Sequence, residues 1–118
     1  MQHSMKLQHK YFQKIKSGQK TVEMRLHDEK RRKIKAGDMI VFSDMEDPEE
    51  KLKVSVTAIS CFSTFDELYQ NIPLSKLGYN TKEEQNSASA KDMEKFYPLE
   101  MQKQYGVIGI WMKNITIH

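Results

Sequence analysis

GQKTVEMRLHDEKRRKIKAGD, Gly18 to Asp38, decides how the chain reads. From Thr21 to Leu26 the apolar residues Val22, Met24 and Leu26 alternate with Thr21, Glu23 and Arg25, the period of two expected of a half-buried strand. The second face of that strand is polar. Thr21, Glu23 and Arg25 project from it together, and Lys20 stands at the strand's entrance with a side chain long enough to swing toward them. Two readings of this face stay open. If it is exposed, its charges are ordinary solvated groups and Glu23–Arg25 is a surface pair contributing at most ~1 kcal/mol. If it lines a cleft, Arg25 would grip a phosphate or carboxylate in a bidentate way and Glu23 would accept from an amino group on a base edge. Lys20 would then act as a cation or, with its pKa lowered, as a base.

Outward from this strand, Tyr11, Phe12 and Ile15 recur on one helical face between His9 and Ser17, and Gly18 provides a C-terminal stop. On the other side Lys35-Ala36-Gly37-Asp38 reads as a turn, Met39 to Phe42 as a short buried strand and Asp44 to Glu50 as an acidic connection. Lys51 to Phe62 follows as a long strand. Thr64 with Glu67 fits a capping box for a helix over Phe65 to Asn71, with Leu68 buried and Pro73 closing it. Residues 74 to 97 carry the helix-start pattern Thr81 to Glu84, but Gln85 to Ala90 is poor in apolar residues and suits a loop or mobile insert. Pro98 opens a last helix through Gln104, Gly106 caps it, and Val107 to Met112 is an apolar strand expected to be central, with Trp111 in the core. The sum is one domain, residues 1–118, of class α+β: about five strands in a partly closed, bent sheet with short helices between them.

Composition fits a folded chain, with 38% hydrophobic and 30% charged residues. Net charge is only +3. It is unevenly spread, because residues 6 to 35 hold eleven Lys or Arg against three acids. Such a block attracts polyanions through counterion release, and it is equally what a solvated loop or helix face looks like. Cys61, the single cysteine, sits in an apolar run and reads as a small buried residue in a reducing, cytoplasmic setting. The eight methionines read as core filler. No apolar stretch approaches the roughly 20 residues that span a bilayer, and Met1 to Lys10 lacks the apolar segment of a signal peptide. His3, His9, His27 and His118 show no paired ligand spacing, so neither metal nor cofactor is expected. Gly-rich phosphate loops and nucleophile elbows are missing as well.

The string IKSGQKTVEMRLHDEKRRKIKAGDMIVF resembles the G-x-K-x-x-E-x-R signature and following GD turn of the ASCH family, whose domains are related to PUA domains. The tail FYPLEMQKQYGVIGIWM resembles that family's closing helix and strand. The resemblance implies a PUA-like β-barrel with flanking helices and a cleft that binds RNA or a modified nucleoside or nucleotide, with Gly18, Lys20, Glu23 and Arg25 at the signature positions. Arg31, Arg32 and Lys33, within the basic run from Lys30 to Lys35, would then lie on a rim where a phosphate backbone could run. One branch of the family resembles a small amidohydrolase acting on acetylcytidine through a Lys, a Thr and a Glu. Lys20 matches its lysine, but Glu23 stands where its threonine would be, so Glu23 would have to activate water; Glu67 falls in the region of its glutamate without a motif to fix it. Tyr97 and Tyr105 would stack on a base or simply bury their rings, and Glu100 would reach the cleft or serve the helix dipole. A third class, a protein-interaction adaptor, would use Asp44 to Glu50 or the 74–97 segment.

Overall fold

The alternation at Thr21 to Leu26 does form a strand, and its position in the sheet determines what the polar face meets. The computed structural model describes residues 1–116; His118 lies outside them. Along the chain come β1 (Gln2–Leu7), α1 (His9–Lys16), β2 (Val22–Leu26), β3 (Met39–Asp44), β4 (Lys51–Phe62), α2 (Phe65–Asn71), α3 (Lys82–Ser87), α4 (Leu99–Tyr105) and β5 (Val107–Asn114). Single turns of 3-10 helix occupy Arg31–Lys33, Leu74–Leu77 and Ala90–Met93. The five strands make one mixed sheet in the order β1-β3-β4-β5-β2, parallel between β1 and β3 and antiparallel elsewhere. This is the α+β architecture that the pattern of elements predicts. β1 has no counterpart in the sequence reading, because its inward alternation consists of Met5 and Leu7 alone.

Two apolar clusters cover the two faces of the sheet. On one, Phe12 and Ile15 of α1 pack with Phe42, Val54, Ile108 and Ile110. On the other, Val22, Met24 and Leu26 of β2 pack with Phe65 and Leu68 of α2 and with Val107. β5 serves both clusters by alternation, as a strand paired on both edges must. In register, Glu23 lies opposite Ile110 and Arg25 opposite Ile108. Directly opposed residues project to the same side, so the polar face of β2 points to the α1 side of the sheet and not into bulk solvent.

Several expectations need correction. Cys61 is exposed. A bulge between Val56 and Ala58 shifts the register of β4 against β5, so the inward alternation of Leu52, Val54 and Val56 does not carry on to the strand's end. Trp111 is only half-buried, on the α2 side, where its Nε1 donates to Ser60 Oγ at 2.9 Å. β5 is interior, but the middle position of the five belongs to β4. Of the methionines, Met5, Met24 and Met112 are core while Met1, Met45 and Met101 are exposed. At α2 the Thr64 hydroxyl accepts from the Glu67 amide, as a cap should, yet the Glu67 carboxylate turns to Ser63 and only half of the box forms. The complete box is at α3, between Thr81 and Glu84, and Ser89 with Asp92 repeats it on the next 3-10 turn. The 74–97 segment is therefore folded through most of its length, because its Ser, Thr and Asp side chains satisfy the helix-start amides that its few apolar residues leave exposed.

Gly106 joins α4 to β5 with φ +75° and ψ −179°, a region that only glycine occupies at low cost, and a Cβ there would stand 3.1 Å from the carbonyl oxygen of Phe62. Gly106→Ala is expected to cost about 1–3 kcal/mol, read as a lowered urea midpoint with unchanged slope. An unaltered midpoint would mean that the junction relaxes freely.

Candidate functional site

β1 and β2 are the two outer strands of the sheet. The space between them opens into a cleft of about 600 Å³. Lys6 and Leu7 line it from β1, Tyr11 and Lys14 from α1, and Glu23 and Arg25 from β2; residues 77 to 97 supply the facing wall. The guanidinium of Arg25 spans the gap, with Nη2 donating to the Lys6 carbonyl at 2.9 Å. Where a fully closed barrel would continue its ladder, this sheet has one arginine and a cavity.

Glu23 organises the floor. It is 4% exposed, as is Lys20. One carboxylate oxygen accepts from the Met24 amide at 3.0 Å and lies 3.3 Å from the Lys20 ammonium. The other accepts from Arg25 Nε at 3.1 Å and Nη2 at 2.9 Å. A carboxylate offers about four acceptor positions; hydrogen bonds from Met24 and Arg25 take three, and the Lys20 ammonium stands beside it as an ion pair. Burial alone would raise the Glu23 pKa, but Lys20, Arg25 and the Met24 amide outweigh it and hold the group below its usual range. Arg25 answers in kind: burial works against its charge, and Glu23, with the Tyr97 hydroxyl second, raises its pKa. Lys20 also lies 5.1 Å from the Tyr11 ring centre, near enough for a cation–π contact.

Charge and shape of the walls complement this floor. Lys6, Lys10, Lys14, Lys20, Arg25 and Lys95 face the cleft against Glu23, Glu84 and Asp92. Tyr11, Tyr79, Phe96 and Tyr97 add aromatic surface. Lys14 fastens the facing wall to α1 by donating to the Gly78 carbonyl, to Asn80 Oδ1 at 3.2 Å and to Glu84 Oε2 at 2.8 Å. That contact with Lys14, more than any other, pulls the Glu84 pKa down to about 2. A carboxyl depressed in the folded state stabilises above its ordinary value of 4.5 and loses that contribution as pH falls through about 2. The wild type is therefore expected to melt above Glu84→Gln at neutral pH and to converge with it near pH 2; equal melting at neutral pH would show that Lys14–Glu84 contributes nothing, and a difference constant with pH that the Glu84 charge is not its source.

The structure brings Lys20, Glu23 and Arg25 together and places the other candidates elsewhere. Arg31 pairs with Asp28 at 3.1 Å, and Arg32 donates to the Tyr105 carbonyl at 3.0 Å. Lys33 is exposed, and none of these three lines the cleft. Tyr105 packs on the α2 side of the sheet, and Glu67 is bound to Ser63 at the start of α2. Glu100 is in the first turn of α4 and outside the cleft, whereas Tyr97 lines it. Asp44 and Glu50 fasten α1 through His9 Nδ1 at 2.6 Å and Lys16 Nζ at 3.0 Å. The Asp44 hydrogen bond, ahead of a smaller desolvation effect, raises the His9 pKa. Among the described residues no group of three His, Cys, Asp or Glu could hold a metal ion, and no helix is long and apolar enough to cross a membrane.

Of the facing wall the sequence pointed only to Tyr97. Tyr79, Asp92 and Phe96 come from short turns that carry no motif, and Lys14 fastens the near end of that wall at Gly78 and Glu84. Against known proteins, the model of the ASCH domain matches residues 5–110. The crystal structure of hypothetical protein PH0355 superposes with a TM-score of 0.81 at 37% identity, covering 98% of this chain and 100% of that one. Protein PF0455 from Pyrococcus furiosus, solved by solution NMR, gives 0.69 at 34% identity, covering 99% and 100%. The crystal structure of ASCH from Zymomonas mobilis, at 14% identity and a TM-score of 0.59 over 93% of this chain and 65% of that one, is similar in fold alone. No curated protein matches the chain.

Proposed function

The chain belongs to the ASCH domain family and carries its PUA-like α+β half-barrel, and from this premise we propose that it binds RNA or a nucleotide in the cleft between β1 and β2. The family is one generally thought to bind RNA. The observation that carries the reading is the Lys20–Glu23–Arg25 group at the base of a cationic, aromatic-walled cleft. Glu23 holds two cations in fixed positions. Lys20 has donors left over for a phosphate or a base oxygen, and Tyr11, Phe96 and Tyr97 offer surfaces on which a base can stack. Lys6, Lys10 and Lys95 at the exposed parts of the wall would meet neighbouring phosphates. In this role Glu23 is an anchor for the cations and not the reader of an amino group.

Nothing in the geometry favours the hydrolytic alternative. A carboxylate held by three hydrogen bonds and an ion pair to Lys20, with a lowered pKa, is a poor base toward water. The adaptor reading is also weaker, since Asp44 and Glu50 are committed to α1 and the 74–97 segment forms a wall of the cleft.

Fluorescence anisotropy with a labelled single-stranded octaribonucleotide tests the proposal. For about three phosphate contacts, raising salt from about 50 to about 200 mM is expected to weaken binding roughly tenfold to twentyfold. Lys10→Ala and Lys95→Ala should each reduce that salt slope, and a nucleoside monophosphate should compete. Absence of binding at the lower salt, or binding indifferent to salt, would overturn the proposal.

A further inference from the structure

Asp92 stands in the facing wall of the cleft, on the 3-10 turn Ala90–Met93. Its Oδ2 is occupied, accepting from the Ser89 amide at 3.3 Å and from the Tyr79 hydroxyl at 3.3 Å. The Tyr79 hydroxyl is in turn 2.7 Å from that of Tyr69. Oδ1 accepts no hydrogen bond from any described residue. The other two carboxylates of the cleft differ. Glu23 has both oxygens engaged, and Glu84 gives one to Lys14 and the other to the amides of Asn80 and Thr81. Asp92 Oδ1 is therefore the one carboxylate oxygen among the described cleft residues with no hydrogen-bond partner, open to a ligand's donor.

Its surroundings suit a base. Tyr79, Met93, Phe96 and Tyr97 line the same wall. The negative charge of Asp92 also reaches across the cleft: burial first, then Asp92, then Glu23 raises the pKa of Tyr11 on α1. A group lying between Asp92 and the Lys20–Arg25 floor would thus meet an acceptor at one end and cations at the other.

We infer that Asp92 reads the base: Oδ1 accepts from an exocyclic amino group, so the cleft takes amino-bearing bases such as cytosine in preference to uracil. Uracil presents a carbonyl oxygen where cytosine presents its amino group, and a carbonyl facing a carboxylate leaves two acceptors desolvated without a proton between them. The inference rests on the proposal that the cleft holds a nucleotide.

Calorimetric titration of the full chain with CMP, UMP and ribose 5-phosphate tests it, with single-stranded hexamers of cytidylate and of uridylate as a second arm that distinguishes RNA from the free nucleotide. CMP is expected to bind about tenfold more tightly than UMP. Asp92→Asn puts an amide donor in place of the free acceptor while its carbonyl keeps the Ser89 and Tyr79 bonds. The order of CMP and UMP should level or reverse, with ribose 5-phosphate unchanged. Arg32→Ala, outside the cleft, should keep the preference for CMP. Equal binding of CMP and UMP by the wild type, or an Asp92→Asn variant with its preference intact, would overturn the inference and leave the cleft proposal standing. If neither nucleotide nor hexamer binds, the cleft proposal fails and the inference with it.

Discussion

Glu23→Ala is expected to lower the unfolding free energy by about 3–5 kcal/mol, the cost of leaving buried charge without its partner. Lys20 and Arg25 would lose their shared counter-charge in a floor where Lys20 is 4% exposed, and the Arg25 link to the Lys6 carbonyl would lose its brace. For a chain of this size that is a fall in Tm of roughly 10–20 °C. Glu23→Gln should fall by less, since an amide oxygen can still accept from Arg25. Thermal unfolding at neutral pH measures both, and a change under about 1 kcal/mol would reduce the group to an ordinary surface pair. The pH dependence follows in sign. Because the Glu23 pKa lies below its usual 4.5 in the folded protein, its contribution is complete above that value and disappears as pH falls through the lower folded one. Wild type and Glu23→Gln should therefore converge in acid.

Lys20→Met is expected to weaken the phosphate-bearing ligand by about tenfold to a hundredfold, the range for one charge-assisted hydrogen bond. Glu23 keeps Arg25 and the Met24 amide in this variant, so its melting temperature should fall much less than that of Glu23→Ala. Arg25→Lys preserves the charge but loses the two-pronged hold on Glu23, so affinity and stability should fall together. Arg32→Ala, outside the cleft, should change affinity by less than about twofold. An Arg32 effect equal to that of Lys20 would move the binding surface to the basic turn at Arg31–Lys33.

The signature strand was legible because a period of two and the identities of Lys20, Glu23 and Arg25 sit in one short run. Pattern alone could not choose between an exposed face and a cleft. That choice depends on β2 lying at the sheet's edge beside β5, with Glu23 opposite Ile110. The basic run is conspicuous in sequence but lies outside the cleft, with Arg31 paired to Asp28 and Arg32 donating to the Tyr105 carbonyl. Cys61 looks buried by composition, and the bulge that breaks the alternation of β4 leaves no mark in VSVTAISCF. Asp92 was invisible among polar residues because its single free oxygen is defined by the bonds that its other oxygen makes.

Amide chemical-shift mapping during titration with a single-stranded octaribonucleotide would locate the ligand. Binding in the cleft predicts that the largest shifts gather at Tyr11, Lys20, Glu23, Arg25 and residues 92 to 97, and that they fade in Lys20→Met. Shifts confined to residues 30 to 35, or saturating shifts unchanged by Lys20→Met, would contradict it.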